Sequence, residues 1–575
     1  MTLLPIVGRE LRVASRKRGT YWSRVMAASV ALLIAFGIIA INELSRGVMR
    51  GQLGTALFQT LSWMCFIFVC AGGMFLTSDS LSEEKRDGTL GLLFLTDLRG
   101  FDVVLGKLIA HSLRGAYGLV AAFPILGLSF LLGGLSGEQF WRLALVLCNT
   151  LFFTLAIGVF ISAVSREGQR AMFGTAGVCL VFLALTWLVD WAIASWDPSK
   201  FVGRLSLASP LSAFLQLQPG RSGTFWKSMG WVHGFGWFFL VAACVAAPRS
   251  WQEKAVRAPA RTNHRRWPFS SPEKRAALRR RLFEGNPVRW LASHSSWKAG
   301  LTGVAFFLLL AVCPLVGWLD EWDTARQMAQ FEGWLLSFLL VLAVASQAGQ
   351  FFVRATQSGA LELMLATPLP ARAIAMGQWW ALWRTFIVPA LLLLALRIST
   401  QIIQMVQMWK GMNASAKSSG TGVFFADNIV YQWVSLLLSI VSFLAGLLAV
   451  AWFAMWMGVI TRKLNMAVLK TLLFVYILPW FVLTFAQAIG FALFAFAFRG
   501  GGGMGVSIWI PQLVGAGLGI GVDLLLFFIA RKKLLLNFRE TVAGAAGLGR
   551  PRRMPRAAPP PPLPPSVPGP PQTST

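Results

Sequence analysis

Charge is scarce in this chain. Asp, Glu, Lys and Arg make up 13% of its 575 residues, about half the share carried by a water-soluble domain, and the shortage excludes an ordinary soluble globule. Acidic residues are scarcer still, with 23 Asp and Glu against 52 Lys and Arg. The four histidines, His111, His233, His264 and His294, are too scattered to form a ligand set. Six cysteines (Cys65, Cys70, Cys148, Cys179, Cys244 and Cys313) fall in or beside apolar stretches with no Cys-x-x-Cys pair, so neither a disulfide framework nor a zinc site is supported. No carboxylate pair, Ser-His-Asp set or metal-ligand spacing stands out, and no catalytic residue is assigned. A phosphate-binding loop is missing too. The nearest approach, GFDVVLGKL at 100–108, has one residue too many between its glycines and no Ser or Thr after Lys107. The chain is therefore expected to be no enzyme, and to hold no metal or cofactor of its own.

What it has in abundance is apolar residues, 56% of the chain, with a mean hydropathy of +0.63. They come in blocks of about twenty, the length of helix that crosses a ~30 Å hydrocarbon layer. Candidate spans are 25–42, 57–78, 105–132, 140–164, 171–193 and 229–247, then 299–319, 333–353, 373–396, 431–460, 468–497 and 508–530. The expected fold is an all-α polytopic membrane protein with about twelve transmembrane helices, since a spanning helix satisfies its own backbone and no alternating barrel strands occur. The first span follows Arg16, Lys17, Arg18 and Arg24 and is expected to be a retained anchor.

A net charge of +29 raises nucleic acid as a partner, but its distribution argues for a bilayer instead. With both termini placed on one side, that side holds all but twelve of the 52 Lys and Arg, the skew that the positive-inside rule predicts for cytoplasmic segments. Both termini are expected to be cytoplasmic, and no nucleic-acid partner is expected.

The chain also repeats itself. GTLGLLFLTDLRGFDVVLGKLIA (88–110) aligns without a gap on GALELMLATPLPARAIAMGQWWA (359–381), with seven identities including Gly88/Gly359, Leu90/Leu361 and Gly106/Gly377. A second echo follows each fourth span, Ser165-Arg166 with Ala171 and Thr461-Arg462 with Ala467, and a weaker one joins GRELRVAS (8–15) to GNPVRWLAS (285–293). Echoes in matching order predict duplication of a six-span unit, giving two parallel six-helix repeats. The expected division is a first transmembrane domain at 1–247 with a loop at 80–104, a basic cytoplasmic linker at 248–298, a second domain at 299–539 with a loop at 354–372, and a disordered Pro-rich cytoplasmic tail at 540–575. The linker carries thirteen Lys and Arg against three Glu; it touches anionic lipid headgroups or is a solvated helical segment.

The stretch SLSEEKRDGTLGLLFLTDLRG (80–100) is too short to span and too apolar for an ordinary loop. Gly88 suits a turn closed to other residues. Beyond it Leu90, Leu93 and Phe94 recur at helical spacing, as do Leu361, Met364 and Leu365 in the second copy, where Pro368 ends the helix. Each apolar stripe either packs on its own bundle or the bilayer surface, or inserts into a groove on a soluble partner.

The pattern formed by Ser80, Glu84, Lys85, Gly88, Thr89, Leu90, Leu93, Thr96, Leu98, Gly106 and Lys107 resembles the membrane subunits of type-2 ABC exporters. Gly359, Leu361, Glu362, Leu363, Thr367, Pro368, Leu369 and Gly377 keep part of it, and LASPLSAFLQLQPG (207–220) resembles that family's outer loop. The resemblance implies an exporter permease in the cell inner (plasma) membrane. Its coupling helices dock on separate ABC ATPase subunits, two copies or two different chains, which bind ATP and Mg. The coupling residues so implied are Glu84, Asp87, Gly88, Thr89, Leu90, Leu93 and Phe94, with Gly359, Leu361, Glu362, Met364 and Leu365 in the second half. ATQSGALE lacks the charge cluster of SEEKRDGT, which predicts unequal docking sites. Arg114 and Arg384, at matching depth in the third spans, and Asp523 in the last are candidate pathway groups. Asp190, near the outer end of the fifth span, is explained by snorkelling. An ion-coupled secondary transporter with the same 6+6 layout, or a non-transporting membrane scaffold, are the alternatives; the transported substrate is not specified by the sequence.

Overall fold

Apolar blocks of this length leave the backbone one economical solution, and among the described residues every regular element is a helix. The computed structural model describes residues 7, 8, 12, 18–44, 53–77, 79–95, 99–133, 135–186, 190, 205–217, 222–250, 273, 288, 322–367, 369–416, 423–461, 463–497, 509–539 and 542. In the first half α1 (Arg18–Leu44) is followed by α2 (Leu53–Gly72), which continues through a π-helical turn, Gly73–Thr77. Two short helices come next, α3 (Ser80–Arg86) and α4 (Thr89–Phe94). Then α5 (Gly100–Leu131), α6 (Gly137–Val164) and α7 (Gly168–Leu180) run on, α7 ending in a second π turn, Val181–Leu185. The small α8 (Pro210–Leu215) leads to α9 (Ser222–Ser250). In the second half come α10 (Trp322–Gln357), the short α11 (Ala360–Ala366), α12 (Ala371–Ala416) and α13 (Val423–Ile460). Last are α14 (Leu464–Thr471) with its π turn Leu472–Ile477, α15 (Leu478–Ala497) and α16 (Trp509–Leu535).

Among the described residues nine helical segments are long and apolar enough to cross a bilayer; Ala27–Ile39 and Arg170–Leu183 are apolar but shorter. The chain is thus an all-α polytopic membrane protein. Eleven of the expected spans fall on these helices, while 299–319 lies outside the described residues, as does the tail beyond 542. One expectation changes. The segment 397–430, taken as an outer loop, is largely helical, because α12 runs on to Ala416 and α13 begins at Val423. At 1.5 Å per residue α12 overshoots the expected span end by roughly 30 Å, and Gln401 donates to the Gln432 side chain at 2.8 Å between these two helices.

Among the described residues two large apolar cores and a small one around Phe153, Ile157, Cys179 and Val232 hold the helices, and each of the large ones borrows from the other half. The first gathers Leu57, Phe66, Val69, Leu147 and Leu155 and takes in Phe481 of α15. The second gathers Leu340, Phe352, Val450 and Met455 and takes in Met74 and Met172 of the first half, with Val288 from the expected linker. Across the junction α1 packs on α15 and α7 on α14. The two crossing helices match residue for residue. Ala171, Met172 and Thr175 are buried as Ala467, Val468 and Thr471 are, and Thr175 and Thr471 each donate back to the carbonyl four residues earlier, both at 2.8 Å. The five described cysteines are free.

Candidate functional site

The two short helices after the second and eighth expected spans share one local geometry. Gly88 and Gly359 both take left-handed φ, at 71° and 72°, and each is the first residue before its helix. A Cβ there would meet nothing within 4 Å, so the requirement for glycine is conformational. The next turns bury Leu90 and Leu361 in the first and second cores respectively, with Leu93 and Phe94, and Met364 and Leu365, half-buried beside them. Exposure falls on the opposite face: Leu92 is 63% exposed, its counterpart Leu363 71%, and Leu95 74%. Of the two readings the sequence left for this stripe, the burial of Leu90 and Leu361 supports packing on the chain's own bundle. Of the leucines left outside, Leu363 enters the sequence reading only as part of the motif, and none is named there as a docking residue. Leu92 and Leu95 stand three apart on the far side of the helix, a pattern legible in the sequence once the buried side is known. Thr96, Asp97, Leu98 and Pro368 lie outside the described residues; α11 ends at Ala366, with Thr367 extended after it.

Polar contacts fix the first elbow to the bundle. The run from Leu53 to Arg86 is 34 residues, well over the ~20 that a bilayer needs, so its charged last turn lies beyond the hydrocarbon. Ser162 of α6 accepts from the Leu81 and Ser82 backbone N–H groups, at 2.9 and 3.0 Å, satisfying donors that a helix start leaves orphaned. A Cβ on Gly158, one turn earlier on α6, would sit 1.9 Å from Thr77 Oγ1, so only glycine admits this approach. Glu84 pairs with Lys107 of α5 at 2.9 Å and accepts from the Thr89 hydroxyl, which ties α3, α4 and α5 together. The supposed phosphate-loop remnant is the start of α5, with Arg99 N–H donating to Asp102 at 3.0 Å and Lys107 turned to Glu84. Lys85 donates to the Ala163 carbonyl; burial, then the Arg166 charge, lowers its ammonium to about 8. Arg86 pairs with Asp79 at 3.2 Å. Asp87 is exposed at the turn, and Glu362 is exposed in the first turn of α11.

In the second elbow the positions of Glu84, Thr89 and Lys107 are held by Ala355, Ala360 and Gln378. Ala355 is buried, and the Gln378 amide reaches the Gln347 carbonyl at 3.4 Å. The charge cluster that distinguishes the first loop is thus engaged largely within the chain.

The candidate pathway groups do not converge. Arg114 is half-buried in α5 and Arg384 is exposed on α12. In the gapless alignment Arg384 meets Leu113, not Arg114, and one residue turns the side chain about 100° around a helix. Asp523 on α16 faces α13, its Oδ2 3.5 Å from where a Cβ on Gly446 would stand. Among the described residues none of the three forms an ion pair, and no group of three or more His, Cys, Asp or Glu could hold a metal. Asp190 has a structural task that the sequence does not announce. It accepts from the Leu205 and Ser206 N–H groups at 3.2 and 2.6 Å, anchoring the segment in which Ser209 caps α8 by accepting from Leu211 N–H at 3.2 Å.

A bundle of apolar helices carrying two glycine-started elbows defines a multi-pass membrane protein. Residues 10–249 match the family model described as ABC-2 family transporter protein. Over that region, less than half of its length, the chain is similar to this family. No curated protein matches it.

Proposed function

We propose that this chain is the membrane-spanning permease of an ATP-driven exporter, with two six-span membrane domains, 1–247 and 299–539, fused in one polypeptide. Its elbows α4 and α11 dock on ATPase subunits outside the chain, two copies of one or two different chains. Those subunits bind ATP and Mg; this chain supplies the path between its halves. The protein sits in the cell inner membrane with both termini cytoplasmic, as the Lys and Arg skew supports.

The observation that carries this reading is the pair of outward leucine faces, Leu92 with Leu95 and Leu363, held on helices whose other side is anchored in the cores. Exposed apolar side chains on rigid short helices beyond the spans suit insertion into a protein groove, and the anchored side lets a push on the elbow move α2 and α5, or α10 and α12, as levers. The test is affinity isolation from native membranes with co-eluting vanadate-sensitive ATPase activity as the readout. Leu92→Asp with Leu95→Asp and Leu363→Asp together should cut that activity by about tenfold or more, a hot-spot-sized loss, and leave the chain folded. Leu90→Asp, in the first core, should instead destabilise the chain. Undiminished ATPase co-elution with the outward leucines charged would refute the docking assignment.

A further inference from the structure

Among the described residues two ion pairs cross from one half to the other. Glu83 of α3 pairs with Lys463 at the start of α14, at 2.7 Å, and Arg354 of α10 pairs with Glu167 at the start of α7, at 3.1 Å. These four residues occupy only two kinds of position. Glu83 stands five residues before Gly88, and Arg354 five before Gly359; Glu167 stands four before Ala171, and Lys463 four before Ala467. Each pair therefore joins the elbow of one half to the loop after the fourth span of the other, and the two pairs are the same contact made twice with the charges reversed. In the first half both positions are acidic, and in the second both are basic.

We propose that this reversed pair of contacts is a pairing code, which selects a first half against a second half and rejects either half against its own kind. A first half set against another copy of itself would bring Glu83 to Glu167, twice; two second halves would bring Arg354 to Lys463, twice. Like charges at close range are an established device against wrong partners. The apolar part of the α7–α14 crossing does not discriminate in this way, because Ala171, Met172 and Thr175 are matched by Ala467, Val468 and Thr471, all buried. Helix faces so alike would accept self-pairing between neighbouring chains in a crowded membrane, and at this crossing selection falls to the charges at the rim, where Glu167 also meets Arg170 of its own helix at 3.4 Å. All four are partly exposed, so the code acts as a modest bias that salt screens. It rests on the correspondence of the two elbows and loops, and not on what docks there.

The test uses the full chain in detergent and in nanodiscs, without ATPase. Glu83→Lys together with Arg354→Glu leaves the net charge unchanged, but sets a lysine against Lys463 and a glutamate against Glu167, and makes each half complementary to itself. Native mass spectrometry should show the share of particles containing two or more chains rising about threefold or more at low salt, with the rise lost at about one Debye length of 3 Å, near 1 M salt. Adding Glu167→Lys and Lys463→Glu restores opposite charges across the native junction and should return the distribution to that of the unaltered chain. Should the first variant fail to fold, recovery of folded protein by the fourfold variant supports the code. The same distribution in all three proteins overturns it, as does a fourfold variant that behaves no better than the twofold one.

Discussion

Removing Glu84 should damage the first elbow far more than removing the whole lock of which it is part. Lys107 is 8% exposed and Glu84 18%, 2.9 Å apart. Glu84→Ala removes the carboxylate that the buried Lys107 ammonium pairs with, a change that costs about 3–5 kcal/mol where one partner of a buried pair is lost. Lys107 lies two turns into α5 and can reach toward the headgroups, which places the expected loss near the lower end, about 3 kcal/mol. Lys107→Gln should cost less, about 1–2 kcal/mol, because Glu84 is the more exposed partner and keeps the Thr89 hydroxyl. The second elbow shows what happens when the whole lock is absent, since Ala355, Ala360 and Gln378 stand in those places on the same backbone turn. Glu84→Ala, Thr89→Ala and Lys107→Gln combined should therefore lie within about 1 kcal/mol of the unaltered chain. Equilibrium unfolding in mixed micelles of mild detergent and dodecyl sulfate measures all three. A triple variant as unstable as the sum of its parts, or a Glu84→Ala loss below about 1 kcal/mol, would refute the account of the pair as a buried, mutually dependent one.

Other outcomes follow from the same contacts. Gly88→Ala and Gly359→Ala should each cost about 1–2 kcal/mol, all of it backbone strain because the space beside each glycine is open; Asn at either site should recover part of the loss in the same unfolding assay. Ser162→Ala removes the shared acceptor of two buried N–H groups and should cost about 1–3 kcal/mol. Hydrogen exchange at Leu81 and Ser82, followed by mass spectrometry, should quicken while exchange in the middle of α6 does not.

The sequence by itself determined the helical membrane class, the position of most spans and the existence of two related elbows. These are local properties: run length against bilayer thickness, and a glycine whose left-handed φ was foreseen at Gly88 and recurs at Gly359. It also pointed, through a resemblance carried by residues that include Glu84, Thr89 and Lys107, to the family whose model matches residues 10–249, and the same three residues lock the first elbow. What only the tertiary structure decided is which way the elbows face. An amphipathic pattern says that Leu90, Leu93 and Phe94 share a side, but not whether that side meets a partner or the chain's own core, since both are apolar environments. Burial in the first core assigns that side inward and leaves Leu92 and Leu95 outside. The register of Arg114 against Arg384, the cap made by Ser162 and the charge-reversed contacts of Glu83 and Arg354 were closed to the sequence for a related reason. Each joins residues some 80 to 380 positions apart, or depends on a single-residue rotation about a helix, and a linear pattern fixes neither.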